Sequence, residues 1–315
     1  MRKLLRPLRH VLPLAVLFLA AALQPAHAQK MDVVASFSIL GDLAAAVGGE
    51  RVTVHSLVGP DQDAHGFQPR PSDARRVGAA DLVIANGLGF DAWMERLARS
   101  AGAKRPVLIA SRGIRTLETA HEEDHEEGHE GGHDHGHHDV DPHAWQDVAN
   151  AIIYVRNIAD ALAAADPEGA ALYRANAERY AAELQTLDAE IRNALATVPP
   201  QRRKVVTSHD AFAYFGRAYG VRFLAAHGVA SEAEPSARDI ARLIRQIRAE
   251  QVPAAFLENV VDPRLVERIR SEGGARLGGT LYSDALSAGD GPASTYVALM
   301  RHNLATLLAG LRAEE

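Results

Sequence analysis

Between Asp166-Pro167 and Pro199-Pro200 the sequence keeps one unbroken helical register, with βα patterning on either side of it. Leu172, Tyr180, Leu184, Leu187, Ile191 and Leu195 recur at steps of three, four or multiples of four, the spacing that aligns side chains on one face of a helix. About 28 residues at 1.5 Å each make a helix of roughly 42 Å, enough to cross a whole domain face. A chain of 315 residues also exceeds what one core usually spans. The expected fold is α/β: two βα lobes joined by this helix. Residues 29–165 form the first lobe, 166–198 the linking helix and 199–315 the second lobe.

Within the first lobe, Met31–Ser36, Val52–Val58, Asp81–Ala85 and Val107–Ala110 read as short apolar strands. Helices are expected around Ile39–Val47, from an N-cap at Ser72, and from about Asp91 to Ala101. In the second lobe the strands are Lys204–Thr207, Val221–Ala225, Ala254–Leu257 and Ala275–Leu277, with helices beginning near Asp210, Ser236, Pro263 and Pro292. Strands alternating with helices predict a parallel sheet flanked by helices in each lobe.

The first 28 residues read as a secretory signal. Arg2, Lys3, Arg6 and Arg9 form a basic n-region, and Val11–Leu23 is apolar except for Pro13. Ala26-His27-Ala28 supplies the small residues of a cleavage site, so cleavage is expected after Ala28. An apolar run this short does not span about 30 Å of hydrocarbon, which disfavours a membrane anchor. Loss of the four basic residues leaves 30 basic against 40 acidic, a net −10 for the exported chain. Such a charge fits neither nucleic acid nor anionic lipid as a partner. There is no cysteine, so disulfides, thiolate metal sites, cysteine nucleophiles and a lipid-modified cysteine are excluded. A metal would have to be held by His, Asp, Glu, backbone or water.

Residues 121–143 hold eight His and nine Asp or Glu, with no Lys or Arg. This is a low-complexity, His-rich loop, expected to lack order without metal. His121, His125, His129 and His133 recur every fourth residue, and His135, His137 and His138 follow. Gly128, Gly131, Gly132 and Gly136 work against a stable helix there. The segment reads either as a weak, multi-site metal collector or sensor, or as a solvated acidic linker.

Three histidines and one aspartate sit in suggestive places: His65 follows a strand in GPDQDAHGFQP, His143 ends the low-complexity loop in DVDPHAW, His209 directly follows a strand in VVTSHDAFAYF, and Asp284 follows a strand-like segment in TLYSDALS. Ligands of open parallel sheets collect beyond the carboxyl ends of the strands, so these four could converge, two from each lobe. Taken singly, each serves as well as a cap or turn residue. His55, His227 and His302 sit in a strand, a Gly-containing loop and the last helix, where packing or surface roles suffice; His10 and His27 leave with the signal.

The stretches ASFSILGDLAAAVGG, SLVGPDQDAHGFQPRPSDARRVGAADLVIANGLGFDAWMERL, DPHAWQDVANA, YRANAERYAAELQTLDAEI, TSHDAFAYFGRAYG, EAEPSARDIARLI and GTLYSDALSAGDGPASTYVALMRHNLATLLAGL span nearly the whole mature chain. In that order the chain resembles the metal-binding solute-binding proteins of zinc and manganese ABC transporters, the group with a rigid linking helix. The resemblance implies that His65, His143, His209 and Asp284 are the metal ligands. It also implies an ABC permease and its ATPase as partners, with a periplasmic zinc chaperone as a candidate donor. Manganese-preferring relatives usually carry a carboxylate at the third position, where this chain has His209. A His3Asp set suits zinc, whereas manganese favours more oxygen. Ala64 stands where relatives often have Pro or Glu, so no helper carboxylate precedes His65.

The expected function is capture of Zn2+ in the periplasm and its delivery to the permease by a monomeric, non-catalytic protein. A manganese-binding transporter component is the alternative. A zinc hydrolase is disfavoured by the absence of an H-E-x-x-H helix and by Asp284, which fills the coordination position that water would need; Glu258 would be its unplaced base. An adhesive or zinc-buffering role for the same fold stays open.

Overall fold

The computed structural model describes residues 30–119, 140–229 and 236–312. The signal segment 1–28 and the His-rich loop, including His121, His125, His129, His133, His135, His137 and His138, lie outside them. The two sheets described below belong to one unit, Met31–Glu315.

Four parallel strands, β1 (Met31–Phe37), β2 (Val52–Val58), β3 (Leu82–Ala85) and β4 (Leu108–Ile109), form the first sheet in the order β2-β1-β3-β4. A second parallel sheet repeats the pattern as β6-β5-β7-β8, from β5 (Lys204–His209), β6 (Arg222–His227), β7 (Ala254–Glu258) and β8 (Arg276–Leu281). The helices are α1 (Ser38–Gly48), α2 (Pro71–Ala79), α3 (Ala92–Ala101), α4 (Val148–Ala165), α5 (Ala170–Ala196), α6 (Ala213–Tyr219), α7 (Ala237–Glu250), α8 (Pro263–Gly273) and α9 (Tyr296–Arg312). The inner strands are the most apolar because helices cover both faces of the sheet, β3 being LVIA and buried at every position. In β1, Val33, Val34, Ala35 and Phe37 are completely buried.

The long helix forms as α5, preceded by a 3-10 turn at Pro167–Gly169. Asp166 fixes its start: the carboxylate accepts from Gly169 N at 3.3 Å and Tyr173 Oη at 2.6 Å, and meets Arg51 Nε at 2.8 Å. Leu184, Leu187, Ile191 and Leu195 face inward as expected. Leu172 does not. It is 41% exposed, and Tyr173 and Ala177 occupy the inward positions of the first turns instead. The helix therefore turns its seam by one residue at its start.

Three helix starts differ from the sequence reading. α2 begins at Pro71, with Arg70 as N-cap and Asp73 Oδ2 accepting from Arg70 N at 2.7 Å. Proline suits that first position because its missing N–H would have no partner, so Ser72 lies within the first turn. α6 begins at Ala213 because Asp210 and Ala211 turn back on the strand end, Ala211 N donating to His209 O at 3.0 Å. α9 begins at Tyr296 rather than near Pro292, after a turn in which Ser287 N donates to Ala293 O at 3.0 Å. Its first turn is capped from the other half of the molecule, Asp42 Oδ2 accepting from Tyr296 N at 2.8 Å.

Candidate metal centre

In both sheets the strand order reverses direction beside the first strand, next to β1 and next to β5. Loops leaving the carboxyl ends there diverge and open a crevice, the usual ligand site of such sheets. His209 is the last residue of β5. His65 lies in the loop between β2 and α2, His143 precedes a 3-10 turn at Ala144–Gln146, and Asp284 follows β8. Their side chains meet in this crevice.

Each of the four offers one donor atom, and these atoms all lie within 4.8 Å of one another. His65 Nε2 and His143 Nε2 are 3.3 Å apart. Asp284 Oδ2 is 3.1 Å from His209 Nε2 and 3.4 Å from His65 Nε2, and its Oδ1 is 3.5 Å from His143 Nε2. A tetrahedral zinc with donors at about 2.0–2.1 Å spaces them about 3.3–3.4 Å apart, close to these values. His143, His209 and Asp284 are fully buried, and the His65 side chain is 9% exposed.

Each buried imidazole is aimed by a carboxylate behind it. Asp141 Oδ1 accepts from the His143 backbone N at 2.9 Å and meets its Nδ1 at 2.8 Å. Glu258 Oε2 meets His209 Nδ1 at 2.7 Å, a close ionic contact off the hydrogen-bond line. Glu258 Oε1 accepts from Ser208 N at 2.7 Å and His209 N at 3.0 Å. With a proton held on Nδ1, Nε2 presents its lone pair to the centre, the usual device for orienting metal-binding histidines. Glu258 thus has a place, as the support of His209 rather than as a base.

The His143 loop is held more deeply. Asn86 Nδ2 donates to Pro142 O at 3.0 Å, and Tyr154 Oη donates to Asn86 Oδ1 at 2.6 Å. Asn86 N in turn donates to Asp91 Oδ2 at 2.7 Å, and the Ser36 hydroxyl donates to the same carboxylate. Burial pushes the Asp91 pKa up despite these bonds. Trp93 Nε1 donates to Ala64 O at 3.1 Å, fixing the residue before His65, and Phe90 packs edge-on against the His65 ring at 4.5 Å.

Without metal, charges inside the cage oppose desolvation. Burial would lower the His209 pKa, but the carboxylates of Glu258 and Asp284 outweigh it and hold the imidazole well above its ordinary value. Burial would raise Asp284, but His209 and His143 outweigh it and hold the carboxyl well below its usual range. A divalent cation held here would take over the role of the imidazolium charge, so the buried carboxylates would support it and protons would compete with it.

Two further described histidines make separate contacts. His55 Nε2 lies 3.6 Å from Asp32 Oδ1 on β1, and His302 Nε2 bonds Thr280 O at 3.0 Å. His227 ends β6. Asp141, Glu258, Asn86 and Tyr154 escaped the sequence reading as parts of the site. Asp141 lies two residues before His143, a local cue; the other three reach the site only through tertiary contacts.

The family model described as "Zinc-uptake complex component A periplasmic" matches residues 33–310. The manganese-binding lipoprotein MntA of Halalkalibacterium halodurans is 33% identical over 283 residues, 90% of this chain and 89% of that protein. The iron-binding protein YfeA of Yersinia pestis is 32% identical over 283 residues, 90% of this chain and 87% of that protein. Among solved structures, the periplasmic zinc binding protein TroA from Treponema pallidum superposes with a TM-score of 0.81 at 29% identity, covering 90% of this chain and 100% of that one. The chain therefore belongs to the zinc-uptake component A family, the metal-binding solute-binding components of ABC transporters, and is not an enzyme.

Proposed function

We propose that this protein captures Zn2+ in the periplasm and delivers it to a membrane ABC permease driven by its ATPase. His65, His143, His209 and Asp284 are the ligands in this reading. The observation that carries it is the buried cage of three imidazoles and one carboxylate, with donor separations of 3.1–3.5 Å along four edges. Three borderline nitrogen donors and a single carboxylate suit zinc better than manganese. All four protein ligands are used, leaving no position for a reacting water.

One feature favours a second reading, in which manganese or iron is the cargo. Both oxygens of Asp284 face the imidazoles, Oδ2 at 3.1 Å from His209 and Oδ1 at 3.5 Å from His143. Bidentate coordination would give five donors, nearer the preference of those ions. The relatives named as binding manganese and iron fit that reading too. Competition titrations decide: one tightly bound Zn2+ per protein, displaced by Mn2+ only at large excess, supports zinc. Equal affinity for the two ions refutes it.

The same reading makes the exported chain a monomer cleaved after Ala28, with lobes divided at the ends of the linking helix. A periplasmic zinc chaperone is the candidate donor, and the His-rich loop a weak collector. Intact mass and light scattering of the secreted protein check cleavage and monomer together.

A further inference from the structure

The loop carrying Asp284 leaves the second sheet, yet residues of the first half hold it on both sides. Ser283 O accepts from Trp145 Nε1 at 2.9 Å and from Gln146 Nε2 at 2.8 Å. Two residues beyond Asp284, Leu286 N donates to Ser38 Oγ at 3.0 Å and Leu286 O accepts from Asp61 N at 2.9 Å. Trp145, Gln146 and Ser38 are buried, whereas Asp61 is exposed.

Asp61 makes more than the backbone bond. Its φ of 52° is left-handed, a conformation that costs most residues energy and that Asp tolerates better than most. Its carboxylate accepts from Asn259 Nδ2 at 3.0 Å and from Ala288 N at 3.3 Å. Asn259 directly follows Glu258, the residue behind His209, and Asp61 itself lies four residues before His65. One exposed side chain therefore ties the His65 loop to the Asp284 loop and to the end of the strand that supports His209.

We propose that Asp61 is a positioning residue that latches the crevice closed over the bound metal and sets the rate at which the metal leaves. This rests on the reading of His65, His143, His209 and Asp284 as ligands. Asp61 is not a donor. Loosening it leaves the four donors in place but lets the Asp284 loop lift more often. Dissociation needs that opening. Association starts from the open form and does not need the latch. Its exposure also leaves the latch within reach of a docked protein, while the buried grips on Ser283 keep the loop attached as it swings.

The test separates the carboxylate from the backbone. Asp61→Gly accepts the positive φ at no steric cost and keeps the N–H to Leu286, so it removes only the side-chain bonds. Asn259→Ala removes one partner. Metal release is followed by stopped-flow chelator challenge of the Zn2+-loaded full-length protein, alongside the association rate and the unfolding midpoint of the metal-free protein. Asp61→Gly is expected to release zinc about five- to tenfold faster, the scale of losing such bonds. Asn259→Ala should move in the same direction, and the double variant should be no faster than Asp61→Gly alone. Association should stay within about twofold of wild type, and the metal-free midpoint should fall by no more than the loss of two exposed hydrogen bonds accounts for. Wild-type release by Asp61→Gly, with the wild-type protein holding its zinc, overturns the latch alone. Slower association together with a midpoint lowered beyond that also overturns it, by showing a merely structural role. A wild-type protein that holds no metal overturns the ligand reading and the latch with it.

Discussion

Replacing Glu258 by Gln tests how the cage aims its histidines. Glu258 Oε1 accepts from Ser208 N at 2.7 Å and His209 N at 3.0 Å, bonds that an amide oxygen can still accept. The change falls on Oε2, 2.7 Å from His209 Nδ1. An NH2 there is a donor facing Nδ1. It favours the tautomer with its proton on Nε2, the atom turned toward Asp284, so that ring must change tautomer before it can bind metal. Losing such a support typically weakens metal binding about 10- to 100-fold, or about 1.4–2.8 kcal/mol. The pH profile should change as well. Burial opposes the His209 proton, and Glu258 is the first of the charges that outweigh burial and raise its pKa. Removing that charge lowers the pKa, so protons compete less and the affinity of Glu258→Gln should fall less steeply as pH drops. The assay is a competition titration with a calibrated chelator at several pH values. An affinity within about twofold of wild type at neutral pH, with an unchanged pH profile, would refute the idea that Glu258 aims His209.

His209→Ala removes one of four donors and should weaken zinc binding by orders of magnitude, while His302→Ala, whose contacts are with Thr280 O, Thr306 and the Tyr282 ring, should leave the titration unchanged. Leu187→Ala, at a fully buried position of α5, should cost about 2–5 kcal/mol in denaturant unfolding of the metal-free protein; Leu172→Ala, at 41% exposure, should cost under about 0.5 kcal/mol. In the metal-free protein the raised His209 adds stability that is complete below about pH 6.5 and lost as pH rises through its raised pKa. The depressed Asp284 adds stability present above about pH 3.9 and lost as pH falls through its lowered pKa; thermal melts of wild type and Asp284→Asn across pH follow the second loss. Deleting residues 121–138 should keep the tight site, since Asp141 and His143 remain, and should abolish weaker zinc equivalents in a stoichiometric titration; loss of the tight site would mean that the loop supplies a ligand.

Much of the fold is legible because parallel strands covered on both faces have to be short apolar runs. The expected strand Asp81–Ala85 contains β3, LVIA and buried at every position, and Ser236 caps α7 by accepting from Asp239 N at 3.2 Å. The helix Val148–Ala165 escaped notice for the opposite reason. VANAIIYVRNIADALAAA has a mean hydropathy of 1.2 and is half buried, so alanine blurs the polar face that normally betrays a helix. Leu172 misled because periodicity alone cannot say where a long helix first meets its neighbours; the Arg51–Asp166–Tyr173 contacts decide that. Three residues of the cage were visible as polar residues after strands and His143 as the end of the low-complexity loop, but only the family resemblance singled out the four. Of the residues behind them, Asp141 had a local cue two positions before His143, whereas the link from Glu258 at the end of β7 to His209 at the end of β5 exists only when the sheet forms.

The grips on the Asp284 loop and on α9 join residues that are far apart in the chain. Ser38 and Leu286 are separated by 248 positions, Asp42 and Tyr296 by 254. During synthesis the first sheet can close long before those partners exist. His65 and His143 would then stand in a half-formed crevice, without the carboxylate that completes their charge. If these four residues are the ligands, a nascent chain lacks the tight site until almost its last residues have been made. Tight loading would then follow completion, and a chain cut short before Asp284 would keep at most the weak sites of the His-rich loop.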